Sequence, residues 1–317
     1  TFGARERGNT SAPLHPSRGF LYDFGGEEKL LLMKCTIILI VAVALLCVKP
    51  LIAEENKEIK GYNGLYMGHS FFWPSEEKLE NIIPDSTVVG HKQYLVRSGG
   101  AGGSPGNLWA NKKRRDAGQR HLDTKKIDLL VMTYHSPENS SAEHYGKWFD
   151  YAIAQNPETT FMVTIAWAGH LYKADKERLD YLKTVGQRFH DTLIVELREK
   201  YPENKILFCP YGLGTYELID QFNEGKLQGV KYLLNMDRKT RGESRAKKEQ
   251  LLNDELGHPG ELVATLGALL WLQTLYDYDL PSLKSGRIDN LPDIDLKEIA
   301  TAVSQKIELF NAAYKRK

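Results

Sequence analysis

Gly68-His69-Ser70-Phe71-Phe72-Trp73-Pro74 closes the first clear apolar run, Tyr62–Met67, and opens onto a helix-like segment, Ser75–Ile82. A glycine followed shortly by a serine at a strand end lets a hydroxyl stand out at a turn, open to a substrate. The same strand-then-helix order repeats along the chain. Strand candidates Gly64–Met67, Thr87–Val96, Asp128–Thr133, Thr160–Ala166 and Lys205–Cys209 alternate with helix-like stretches Ser75–Ile82, Ala142–Gln155, Asp175–Tyr201 and Tyr216–Glu224. Several strands are near-continuous in Val, Ile, Leu, Met and Phe, as expected where both faces of a sheet are covered. Pro157 and Pro202 stand just past two of the helices, where a helix should stop. Glu261–Tyr276 reads as an apolar helix and residues 295–315 as an amphipathic terminal one. The pattern predicts a flavodoxin-like three-layer α/β/α sandwich with a parallel sheet of about five strands.

Residues 1–53 read differently. Met33-Lys34 precedes an apolar run, Cys35–Val48, and then Leu51-Ile52-Ala53 before Glu54-Glu55. A basic start, an apolar middle and a small residue at the end describe a bacterial signal peptide with Met33 as its start, so the expected destination is the periplasm or exterior. About 14 apolar residues are short for a bilayer span, and no stable membrane insertion is expected. Cys47 lacks the small neighbour that a lipoprotein cysteine normally has. Residues 54–317 form the expected single domain, without an internal repeat or a dividing linker. Of the 42 basic and 41 acidic residues, 36 and 37 lie in that domain, a balance that argues against nucleic acid as an obligate partner. Lys112-Lys113-Arg114-Arg115 and the run from Arg238 to Lys248 read as solvated loops or helix faces, with an anionic polymer as the alternative partner of the first. Cys209 is the one cysteine beyond residue 53, which excludes an intrachain disulfide there. It reads as an inert buried thiol.

In a parallel sheet, ligands bind outside the carboxyl ends of the strands. Ser70 follows the first strand there, Ser98-Gly99-Gly100-Ala101-Gly102-Gly103-Ser104-Pro105-Gly106 the second, and Tyr134-His135-Ser136-Pro137-Glu138-Asn139 the third. Glycines let backbone amides approach a developing oxyanion. Far along the chain, Asp254-Glu255-Leu256-Gly257-His258-Pro259-Gly260 precedes the apolar helix and supplies a base and an acid. Acyl transfer needs a nucleophile, a base and a group that orients the base. Ser70 also has the ordinary reading of a helix cap. His144 and His170 lack metal-ligand spacing, so neither a metal nor a cofactor is expected.

The order of these blocks resembles the SGNH (GDSL-type) hydrolase superfamily over roughly residues 62–277. The resemblance makes GHS at 68–70 the counterpart of that family's GDS, and Asp128–Trp167 similar to variants that lack the GxND block. It implies Ser70 as nucleophile and His258 as base. For the acid, the family spacing of three points to Glu255 and its residue type to Asp254, and the choice falls on Asp254. Oxyanion donors are then the amide of Ser70, a glycine amide with Gly103 chosen, and a third donor from His135 or Asn139. His69, Trp73, Trp109 and Asn139 are candidates for touching substrate, the tryptophans by stacking on a ring.

The implied activity is that of a secreted serine esterase acting on carboxylic esters, acetyl or other short-chain esters of carbohydrates among them. The partner is a small-molecule or carbohydrate ester. A non-catalytic carbohydrate-binding or surface protein is the rival, supported by the missing aspartate and GxND block. A classical α/β-hydrolase is disfavoured, since no G-x-S-x-G surrounds Ser70.

Overall fold

The computed structural model describes residues 58–84, 86–237, 248–284 and 294–314, all within one unit of the chain, Asn56–Lys317. Residues 1–53, with the expected signal peptide, and nearly all of the basic run from Arg238 lie outside the described residues. Five parallel strands make the central sheet: β2 (Asn63–Gly68), β4 (Lys92–Arg97), β5 (Leu129–Thr133), β6 (Thr160–Thr164) and β7 (Ile206–Cys209), in the order β4-β2-β5-β6-β7. Counted within that sheet the order is 2-1-3-4-5, that of flavodoxin-like folds. Leu65 is in register with Tyr94 on one side and Leu130 on the other, and Val163 with Met132 and Phe208.

Period-two alternation divides the core into two layers. Tyr66, Leu129, Val131, Met162, Leu207 and Cys209 point to one face. There they meet α1 (Trp73–Ile82), α7 (Gly212–Asn223), α8 (Glu261–Tyr276) and α9 (Leu296–Asn311). Leu65, Met67, Leu130, Met132, Val163 and Phe208 point to the other. That face is covered by α2 (Pro105–Ala110), α3 (Lys112–Leu122), α4 (Ala142–Gln155) and α6 (Val195–Lys200). The molecule is a three-layer α/β/α sandwich. Helix α8 is apolar all round because it is enclosed, with Leu262, Leu266, Leu269, Trp271 and Leu275 all buried.

Several boundaries differ from expectation. The predicted strand Thr87–Val96 is broken at Gly90, whose φ of +80° turns the chain. Its first part, β3 (Val88–Val89), pairs instead with β1 (Ile59–Lys60). The long predicted helix Asp175–Tyr201 is α5 (Lys176–Phe189), a π turn over His190–Ile194, and α6. Helices α2 and α3 were hidden by the glycine run and the basic cluster; Asn111 caps α3 by accepting the Arg114 N–H at 3.2 Å. A small parallel pair, β8 (Tyr232–Leu234) and β9 (Gln250–Leu252), was also not foreseen. Among the described residues, no helix is long and apolar enough to cross a membrane.

Candidate active site

Strand β2 delivers Ser70 to the carboxyl edge of the sheet. After Gly68 the chain turns at once, with the N–H groups of Phe72 and Trp73 donating to the His69 carbonyl at 2.9 and 3.2 Å. Gly68 is required here, because a Cβ at this position would lie 2.6 Å from the Phe72 ring. Its carbonyl accepts the Trp73 indole N–H at 2.9 Å and the Ser98 N–H at 3.2 Å, tying the turn to the end of β4. Ser70 therefore projects from the turn and does not cap α1, whose N-cap is Phe72.

The loop after β9 brings His258 to the same place. Asn253 N–H donates to the His258 carbonyl at 2.8 Å, the Asn253 amide to the Pro259 carbonyl at 2.6 Å, and Gly260 N–H to the Leu251 carbonyl at 2.7 Å. Within this closed loop His258 Nε2 lies 2.8 Å from Ser70 Oγ, and Nδ1 lies 2.5 Å from Asp254 Oδ2. The other oxygen, Asp254 Oδ1, accepts the N–H groups of Gly257 and His258 at 3.0 and 3.1 Å. Partial burial alone would raise the Asp254 carboxyl. The main-chain N–H and ring of His258, helped by the Gly257 N–H, outweigh it and hold the carboxyl below its usual range. An ionised carboxylate only accepts, so Nδ1 carries the proton and Nε2 is free to receive the serine's. Glu255 is exposed, and it is Asp254 that lies against the ring. Gly257, at φ +98°, makes the tight return that puts residue 254 rather than 255 beside the ring.

Two aromatic rings brace this arrangement. Phe71 stacks on Trp167 at 5.2 Å with planes 11° apart, and meets the His258 ring edge to face at 5.2 Å. Trp167 donates its indole N–H to the Gly257 carbonyl at 2.8 Å, and His170 N–H donates to the Leu256 carbonyl at 3.1 Å. The loop that carries His258 is thus fixed to the segment after β6. Phe71 was not foreseen as a support; its signal was an aromatic directly after the serine.

Of the glycines after β4, the one that borders the cleft is Gly100, not Gly103. Gly103 is a spacer, since a Cβ there would lie 2.6 Å from the backbone of Gly68 and His69. The amides of Ser70 and Gly100 donate no hydrogen bond among the described residues. His135 reaches the cleft and is exposed, its ring edge to face with His69 at 5.4 Å. Asn139 does not line the cleft; its carbonyl accepts the Gly106 N–H at 2.8 Å, a tie between the second and third loops.

His69 is 6% exposed. Its Nδ1 accepts the Phe71 N–H at 3.3 Å, which leaves Nε2–H to donate to the Tyr134 carbonyl at 3.2 Å. Burial above all pushes this imidazole down to about 4; the Tyr134 carbonyl opposes the shift, and His135 and His258 add to it. His69 is therefore a neutral ring at the floor of the cleft. Neither tryptophan proposed for stacking lines the cleft. Trp73 is held by Gly68 and by the Arg97 guanidinium, 5.8 Å from its ring. Trp109 packs against Trp148 at 5.0 Å on the far side of the sheet. Both belong to packing, Trp73 through its bond to the Gly68 carbonyl and Trp109 through its contact with Trp148. Cys209 is buried, which pushes its thiol up to about 12. His144 bonds Ser141 at the start of α4, at 2.8 Å.

The cleft over Ser70 encloses about 560 Å³. From His69, Ser70 and His258 it runs along the ends of β5 and β6 to α5, where Leu182, Val185 and Phe189 form its wall.

No family model matches this chain, and no curated protein does. Among solved structures it is similar to a DUF4886 family protein from Bacteroides uniformis ATCC 8492, at 15% identity and a TM-score of 0.46, over 80% of this chain and 95% of that one. It is also similar to the periplasmic domain of a lipopolysaccharide acetyltransferase from Salmonella ser. Paratyphi A, at 11% identity and a TM-score of 0.34, over 47% of this chain and 66% of that one. At such identities and scores neither likeness carries chemistry across.

Proposed function

We propose that the chain is a serine hydrolase of carboxylic esters, of the SGNH type and exported from the cell. The observation that supports this reading most is the unbroken chain from Ser70 Oγ through His258 to Asp254, 2.8 and 2.5 Å long in its two links and open to a cleft.

This reading gives a two-step acyl-enzyme reaction, and the geometry supports each role in it. Ser70 Oγ attacks the ester carbonyl carbon as its proton passes to His258 Nε2. On this reading the oxygen that becomes negative takes hydrogen bonds from the amides of Ser70 and Gly100, which donate to nothing else among the described residues, and from His135, which also lines the cleft. The tetrahedral species collapses, the C–O bond to the alcohol breaks, and the leaving alcohol takes the proton from His258. Water then attacks the acyl-Ser70, gives its proton to His258, and the acid departs as Ser70 recovers its hydrogen. Asp254 stays ionised throughout, orienting the ring and stabilising its cationic form. His69 stands where the family has aspartate, but as a neutral ring its role is to hold the turn.

Purified protein is assayed with p-nitrophenyl esters beside Ser70→Ala and His258→Ala. Both variants are expected to lose at least about 1,000-fold in kcat. Turnover by Ser70→Ala equal to that of the wild type would remove the nucleophile.

A further inference from the structure

The cleft lining is informative beyond the three reacting side chains. Among the described residues, no Asp, Glu, Asn, Gln, Lys or Arg side chain borders it. Beyond Ser70, the histidines and the hydroxyl-bearing rings Tyr134 and Tyr216, the cleft presents Ile165, Trp167, Leu182, Val185, Phe189 and Leu256. A sugar ring asks for carboxylates and amides around it, since each of its hydroxyls loses water on binding. An alkyl chain asks for an apolar wall.

Helix α5 supplies that wall in a regular way. Leu182, Val185 and Phe189 recur at helical spacing and share one face. The helix anchors to the core through Leu179 and Gly186, both buried. The three wall residues stay half-buried, and Val185 joins neither of the two core clusters. Phe189 closes the far end with Tyr134, ring centroids 4.3 Å apart. The volume of this half-open cleft, about 560 Å³, lies in the range of sites for ligands of many atoms and far exceeds what an acetyl group fills.

We propose that the face of α5 formed by Leu182, Val185 and Phe189, with Ile165 and Trp167, is an acyl-chain site, and that the ester carries a medium-chain aliphatic acyl group of six carbons or more rather than acetyl. The inference rests on the hydrolase reading for the attachment of that chain to Ser70. The acyl group stays on the serine through both half-reactions and so gains from an apolar wall. The alcohol has to reach solvent between them.

The test is a series of p-nitrophenyl acetate, butyrate, hexanoate and octanoate, with the alcohol held constant. kcat/KM is expected to rise from acetate to hexanoate or octanoate by about fourfold per methylene buried. Val185→Trp, which fills the cleft, is expected to lower the octanoate-to-acetate ratio at least tenfold. Separately, calorimetric titration of Ser70→Ala with sodium octanoate should show saturable binding at least tenfold tighter than butyrate. Acetate as best substrate with octanoate unbound would overturn the acyl-chain site and leave the hydrolase intact. Octanoate bound without turnover of any ester would keep the site and sink the hydrolase reading.

Discussion

Asp254 holds His258 at two points at once: Oδ2 lies 2.5 Å from the ring Nδ1, and Oδ1 accepts the main-chain N–H of the same residue at 3.1 Å. One carboxylate therefore sets both the tautomer and the backbone position of the base. Asp254→Asn keeps the shape but offers a donor where the ring needs an acceptor, and kcat is expected to fall by about 1,000- to 10,000-fold. Glu255→Gln, on an exposed side chain outside this contact, is expected to change kcat less than twofold. Steady-state assays of the two variants decide between the neighbouring acids; the reverse ranking would reassign the role.

The loop after β4 distinguishes spacer from donor. Gly103→Ala places a methyl against the Gly68–His69 backbone and should destabilise the fold by about 1–3 kcal/mol while lowering kcat/KM at least tenfold. Gly99→Ala adds its methyl to open space at φ −69° and should leave the melting temperature within a few degrees. Thermal melts and ester assays on both variants check this. An unaffected Gly103→Ala protein would contradict the close approach.

Beneath the turn, Arg97 is paired with Glu76, which is 1% exposed, and with Glu77 at 2.7 Å. Burial raises the Glu76 carboxyl to about 7 against the opposing pull of Arg97. Arg97→Met leaves that carboxyl buried and unpartnered, and is expected to cost roughly 3 kcal/mol. Adding Glu76→Gln should restore at least half. Urea denaturation of the single and double variants measures it, and a single variant as stable as the wild type would show the pair to be inert.

Acid should weaken the fold through its buried histidines. Burial lowers His91 from 6.5 to about 4, and His69 likewise. Between those values the unfolded chain binds more protons than the folded one. Their contribution is therefore complete above pH 6.5 and is lost progressively as pH falls toward 4. Glu76, raised from 4.5 to about 7, works in the opposite sense over an overlapping range. Comparison with His91→Asn isolates one group. Between pH 7 and pH 5 the wild type should lose about 1–2 kcal/mol more than the variant. Equal losses in denaturant melts would show that His91 protonates freely in the folded state.

The strands were legible in the sequence because their signals are local, whereas the partnership of Ser70 with His258, 188 residues apart, came from the order of blocks that resembles a known family. Five apolar runs of strand length separated by helical periods specify a parallel sheet, and parallel order itself places Ser70 at the functional edge. The partnership of Asp254 with His258 was harder, since it depends on the left-handed turn at Gly257. Contacts set by helix direction were not legible. Trp73 and Trp109 follow the right loops, yet α1 and α2 carry their rings into packing. Gly100 and Gly103 are alike in sequence, and only the 3₁₀ turn across them sends one to the cleft and the other against β2. The apolar wall on α5 was concealed in a segment, Asp175–Tyr201, that reads simply as helix-like.

The most direct measurement is covalent labelling by a fluorophosphonate, followed by mass-spectrometric mapping of the modified peptide. One label per chain is expected, on Ser70, abolished in Ser70→Ala and slowed at least 100-fold in His258→Ala. An unlabelled wild-type protein, or a label that persists when Ser70 is replaced, would contradict it.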